Sequence, residues 1–175
     1  MRKLIYAMGV SLDGFIASRE GEIDWSVPDE ELHRFHNEQT RELGVHLCGR
    51  RLHETMLPWE SFESGPESML EFARLWQALP KVVFSTTLTS VEGNARLGTV
   101  EEVARLKEES GKDIGVGGAG LAASLIDLID EFGLFVSPVV LGGGTPFWPA
   151  VRIELELVET RTFGSRVVYL RYVRA

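Results

Sequence analysis

Residues 113–126 read Asp113-Ile114-Gly115-Val116-Gly117-Gly118-Ala119-Gly120-Leu121-Ala122-Ala123-Ser124-Leu125-Ile126. This run predicts a short buried strand, a glycine hinge and the first turns of a helix. Glycines 115, 117 and 120 satisfy the G-x-G-x-x-G spacing after a strand and before a helix, the context the pattern requires. A backbone without Cβ atoms can touch a phosphate, and the free N–H groups of a helix start attract anions. A tight strand-to-helix turn with no ligand would carry the same glycines. The run also lies past the midpoint of the chain, and no acidic residue ends a strand ~20 residues later to hold a ribose. The sequence therefore points to a nucleotide site on an α/β sheet other than the common doubly wound one.

Working outward, Lys3–Val10 is a near-continuous apolar strand, as expected when both faces are covered. Positions 11–27 form a long loop with turn signals at Asp13-Gly14 and Glu20-Gly21. A helix is expected over about 29–43, with Ser26 and Asp29 resembling a capping box and Pro28 in the first turn. Then come a strand at Val45–Cys48, a short helix at Arg50–Met56, a helix at Glu67–Leu79 and a strand at Lys81–Ser85. Thr99 and Glu102 cap a helix running to about Ser110. Past residue 131 the pattern becomes β alone: an apolar run at Leu134–Leu141, a break at Gly142-Gly143-Gly144, then alternating strands joined by a turn at Phe163-Gly164-Ser165. The fold class is α/β, with a C-terminal antiparallel hairpin. No repeat or linker interrupts it, so residues 1–175 read as one domain.

The 44 % hydrophobic and 25 % charged content suits a globular chain with a real core. A net charge of −8 argues against general binding to nucleic acid or anionic membranes, because phosphate neutralisation needs clustered Lys and Arg. The lone Cys48 forbids an internal disulfide and any multi-cysteine zinc pattern. His33 and His36, three apart, and His53-Glu54 lack the rest of a metal motif, so no metal is expected. The apolar run after Arg2-Lys3 is broken by Asp13, far short of the ~18 residues a membrane span needs. A cytoplasmic location is the expectation.

Four blocks carry a resemblance over nearly the whole length: Ser11-Leu12-Asp13-Gly14-Phe15-Ile16-Ala17; Cys48-Gly49-Arg50-Arg51; Val82-Val83-Phe84-Ser85-Thr86-Thr87; and Gly117-Gly118-Ala119-Gly120 with Val139-Val140-Leu141-Gly142-Gly143-Gly144-Thr145-Pro146. In order and spacing they resemble the dihydrofolate reductase-like fold, and particularly the reductase domain of bacterial riboflavin-biosynthesis deaminase-reductases. The resemblance implies a mostly parallel sheet flanked by helices, a homodimer and NADPH as cofactor. The deaminase half of such enzymes needs a cysteine-rich zinc site, which one cysteine cannot supply.

The chemistry of the residues agrees. Gly49-Arg50 follows a strand and opens a helix, so a guanidinium and helix-start amides converge, and Arg suits bidentate phosphate contact. Ser85 and Thr86 end the next strand at the edge where open α/β sheets bind ligands, although turn capping explains them equally well. By similarity, Arg50, Ser85, Thr86 and, less directly, Arg51 would hold an adenosine 2′-phosphate. Gly117, Gly118, Ala119, Gly120 and Leu121 would cradle the pyrophosphate, and Gly49 and Ile16 would line the cofactor. The resemblance also implies a cis peptide between Gly117 and Gly118.

For catalysis, the stretch Asp24-Trp25-Ser26-Val27-Pro28-Asp29-Glu30-Glu31-Leu32 is similar to the segment where a carboxylate at a helix start binds a pteridine. One alignment puts Glu30 in that role and another favours Glu31; an acidic first turn favoured by the helix dipole is the plainer account. Asp13, in the loop after the first strand, would reach the nicotinamide or the substrate, or simply form its turn. Three functions stand open: an NADPH-dependent reductase of a small imine or carbonyl, resembling 5-amino-6-(5-phosphoribosylamino)uracil reductase; a divergent dihydrofolate reductase; and a non-catalytic NADP-binding module.

Overall fold

A computed structural model describes residues 1–175. Its strands are β1 (Leu4–Ser11), β2 (Phe15–Ala17), β3 (Leu43–Gly49), β4 (Lys81–Phe84), β5 (Ala95–Leu97), β6 (Asp113–Gly117), β7 (Glu131–Ser137), β8 (Thr145–Pro146), β9 (Leu155–Thr162) and β10 (Val168–Arg174). The helices are α1 (Glu30–Arg41), α2 (Arg50–Met56), α3 (Glu67–Ala78), α4 (Glu102–Glu108) and α5 (Ala119–Ser124). Eight strands form one sheet in the order β5-β4-β3-β6-β1-β7-β10-β9, and β2 pairs with β8 beside it. Neighbours from β5 to β7 run parallel; β10 runs antiparallel to both β7 and β9. The α/β sheet with an antiparallel C-terminal hairpin is the one the sequence predicts.

The central strands read as apolar runs because they are covered on both faces. Leu4, Tyr6 and Val10 of β1, Leu47 of β3 and Val116 of β6 share one core with Leu121, Ala122 and Phe147. A fully buried Leu or Val there contributes about 1.5–3 kcal/mol. On the other face, Leu32 and Phe35 of α1 pack on Phe135, Phe163 and Tyr169, while Trp76 and Leu79 close a third cluster over Cys48 and Val83.

Local details differ from the sequence expectation for identifiable reasons. Asp29 caps α1 by accepting from the Leu32 amide at 2.9 Å, but Ser26 belongs to a separate turn and donates to the Ile23 carbonyl. Pro28 therefore lies before the helix. Glu102 turns back to the Thr99 amide, as a capping box does. β5 was not expected: it is three residues long, pairs only with β4 and has no buried residue to mark it. The strand expected at Leu134–Leu141 runs instead from Glu131 to Ser137 and stops before Pro138.

Candidate functional site

Parallel strands leave a crevice at their carboxyl ends, and here it is an elongated cleft of about 840 Å³. Its lining follows the strand order. Gly98, Thr99 and Val100 come after β5, Phe84 to Thr87 at the end of β4, and Gly49 to Leu52 at the end of β3. Gly118 to Leu121 follow β6, and Met8 of β1 stands beyond them with Ile16, Ala17 and Thr145 of the small β2–β8 sheet. Four strand spacings of about 4.8 Å make the cleft roughly 19 Å long.

At one end the side chains are polar. Arg50 donates through Nε to Glu54 Oε1 at 2.9 Å and through a terminal nitrogen to the Thr87 hydroxyl, which fixes its plane. Ser85 Oγ accepts the amides of Thr87 and Leu88 at 3.2 and 3.1 Å, folding the loop so that Thr86 and Thr87 face the opening. Arg51 lines the same end, and its guanidinium has no hydrogen-bond or salt-bridge partner. Thr87, Gly98, Thr99 and Val100 were not among the expected residues. Thr87 continues the Ser85-Thr86 run, and the others follow the strand that the sequence concealed.

The glycines of the opening motif have separate tasks. A Cβ on Gly115 would sit 2.7 Å from His46 Cδ2, and one on Gly117 only 2.2 Å from Leu52 Cδ2. These two admit neighbouring side chains and do not face a ligand; Gly117 is the one expected cofactor residue that does not line the cleft. Gly118 has φ 101°, a conformation that L residues avoid, and begins α5 against Gly49. Around Gly120 a Cβ would meet nothing within 4 Å. The amides of Ala119, Gly120 and Leu121 have no partner inside the helix they open. The cis linkage expected between Gly117 and Gly118 is absent: every peptide is trans. The chain turns through the positive φ of Gly118 instead, so the site rests on the amides and arginines and not on an unusual peptide bond.

The three expected acids do not line the cleft. Glu30 pairs with Arg34 along α1, and Glu31 accepts the Gly164 amide, tying α1 to the β9–β10 turn. Asp13 accepts from the Ser11 hydroxyl at 2.7 Å and from the amides of Leu141 and Gly142 at 3.0 and 2.8 Å. The Ser11 hydroxyl, followed by those amides, holds its carboxyl below the usual range. Asp13 thereby joins the loop carrying Ile16 and Ala17 to the loop carrying Thr145. Behind β6, burial holds His46 down at about 4 and pushes the Cys48 thiol up to about 12; the two meet at 3.3 Å as neutral packing partners, not as a reactive pair.

A dinucleotide fits this donor set: a bonded and a free guanidinium with hydroxyls at one end, helix-start amides in the middle, and an apolar wall at the other end.

Comparison with known proteins agrees with this geometry. The model of the RibD C-terminal domain matches residues 2–169. The uncharacterised protein YyaP of Bacillus subtilis is 36 % identical over 98 % of this chain and 94 % of its own. Among solved structures, a putative riboflavin biosynthesis protein from Shewanella sp. PV-4 superposes with a TM-score of 0.73 at 19 % identity, covering 100 % and 99 % of the two chains. A dihydrofolate reductase from Enterococcus faecalis, complexed with NADP(H), gives 0.70 at 20 % over 98 % and 96 %. The Thermotoga maritima diaminohydroxyphosphoribosylaminopyrimidine deaminase/5-amino-6-(5-phosphoribosylamino)uracil reductase gives 0.70 at 15 %, this chain matching 57 % of that one. At such identities the structures establish the dihydrofolate reductase-like fold alone. The chain belongs to the RibD C-terminal domain family.

Proposed function

We propose that this chain is an NADPH-dependent reductase of a small imine or carbonyl compound. The observation that carries the reading is the graded cleft, cationic at one end, lined by free amides in the middle and apolar at the other. When bound, reduced nicotinamide supplies a hydride to the carbon of the C=N or C=O group, whose nitrogen or oxygen takes a proton from water. Arg50, held by Glu54 and Thr87, and the unpaired Arg51 would grip the adenosine 2′-phosphate with Ser85 and Thr86. Gly118 to Leu121 would receive the pyrophosphate, and Ile16, Ala17 and Thr145 would wall the nicotinamide. No carboxylate lines the cleft, so the protein's share is positioning and exclusion of bulk water.

Titrating both cofactors by fluorescence quenching tests this. NADPH should bind at least about tenfold better than NADH, a difference of about 1.4 kcal/mol, and Arg50→Ala should erase the preference. Equal affinities in the wild type would sink the 2′-phosphate assignment.

We also propose a homodimer and a cytoplasmic location. Val168 and Leu170 of β10 are only half-buried and join none of the core clusters, and Leu157 on the adjacent edge strand is exposed. An isologous partner would cover this face. Sedimentation at micromolar concentration should give twice 19.5 kDa, and a monomer would refute the dimer. No helix is long and apolar enough to cross a membrane.

A further inference from the structure

Charge is distributed unevenly along the cleft. Its only cations, Arg50 and Arg51, stand together at the end beside Ser85–Thr87. The opposite wall, built from Met8, Ile16, Ala17, Ile23 and Thr145, has one hydroxyl and no charge. Of the segment beside that wall, Gly21 and Ile23 line the cleft, and the acids Glu20, Glu22 and Asp24 flank them. The nearby Arg19 and Arg34 do not line the cleft: Arg19 donates to the Gly142 carbonyl and Arg34 pairs with Glu30. On the neighbouring hairpin, Arg161 lies over the rings of Phe35 and Phe163. Exposed Arg166 shares its turn with the Gly164 amide that Glu31 accepts.

We propose that the substrate reduced at this end is an uncharged or cationic carbonyl or imine compound, and that phosphorylated substrates are rejected. This rests on the reading of the cleft as an NADPH-dependent reductase site. A phosphate ester carries about −1.5 to −2 charges near neutral pH, and a partly dry cleft holds it only with cations or a fan of donors. Both arginines lie several strand spacings away, at the end assigned to the cofactor. Glu20, Glu22 and Asp24 beside this end add repulsion that reaches about 10 Å at 0.1 M salt. The Thermotoga neighbour is named for a phosphoribosyl substrate; the reactive end of this cleft has no cation to receive one.

The experiment has two arms. NADPH is first titrated by fluorescence, because failure to bind would overturn the cofactor reading itself. The NADPH-loaded protein is then given two matched pairs, followed by calorimetry and by NADPH oxidation. One pair is 5-amino-6-(5-phosphoribosylamino)uracil and its dephosphorylated form; the other is glyceraldehyde 3-phosphate and glyceraldehyde. The unphosphorylated member of at least one pair should bind and react about tenfold better or more at low salt, and the gap should narrow as salt rises. Ile23→Lys, which places a cation at the apolar end, should shrink the gap. Equal or tighter binding of the phosphorylated members by the wild type would overturn the proposal. So would NADPH-loaded protein that binds no member of either pair.

Discussion

The chain has two glycine-rich stretches, 118–120 and 143–144, and they serve opposite purposes. In the first, Gly118 turns the chain at a positive φ and Gly120 leaves open space at the cleft, so a missing side chain keeps room beside the helix start. In the second, the missing side chains make room for the protein itself. A Cβ on Gly143 would fall 2.3 Å from Arg19 Nε, and one on Gly144 would fall 2.0 Å from the Ala17 carbonyl oxygen. That segment is further fastened by Asp13 and by the Arg19 bond to the Gly142 carbonyl. Glycine content alone does not distinguish a ligand cradle from a backbone crossing; the atoms that each Cβ would meet do.

The contrast can be attacked directly, beginning where the effect is largest. Gly144→Ala combines a backbone collision with φ 137°, so it should cost about 4 kcal/mol and lower Tm by on the order of 10 °C, read by calorimetry. A Tm within a degree or two of wild type would mean the second segment is as free as the first. Gly118→Val strains the chain by about 2 kcal/mol at φ 101° but meets only ordinary contacts. Circular dichroism should show the fold retained, and fluorescence should show NADPH binding lost.

Gly120→Ala should separate stability from binding. Replacing an open helical glycine adds about 0.5–1 kcal/mol of stability, while the new methyl crowds the cleft and weakens NADPH several-fold. If both quantities rose together, Gly120 would not face a ligand. The smallest effect is the pH response of the second segment. Asp13 has its folded pKa lowered chiefly by the Ser11 hydroxyl, so its contribution is intact above the ordinary aspartate range and fades as pH falls through the lower folded value. Amide resonances of Leu141 and Gly142 should titrate with an apparent pKa below that of a free aspartate. Those of Ala119 and Gly120 should not move with them.

The polar end and the middle of the cleft are legible in sequence because their residues are contiguous. Gly49-Arg50-Arg51, Ser85-Thr86 and Gly118–Leu121 each sit at the end of one strand, and the α2 bounds Arg50–Met56 match the expected ones. The acids mislead because their partners are remote. Nothing near Glu31 announces Gly164, and nothing near Asp13 announces Leu141 and Gly142. The turn at Gly118 is legible in the sequence while its conformation is not, since either a cis peptide or a positive φ reverses the chain and glycine permits both. β5 leaves no mark in the sequence because an edge strand with a single neighbour needs no apolar run.

The position of β1 has a consequence in time. Leu4 pairs with Ile114 and Ile5 with Glu131, so both neighbours of β1 lie more than 100 residues downstream. During synthesis this apolar strand emerges long before either partner exists, and pairings of such long range close slowly. At about 5–20 residues per second it waits for roughly 5–25 seconds with both edges bare. A chaperone that holds short apolar strands has that interval in which to find it.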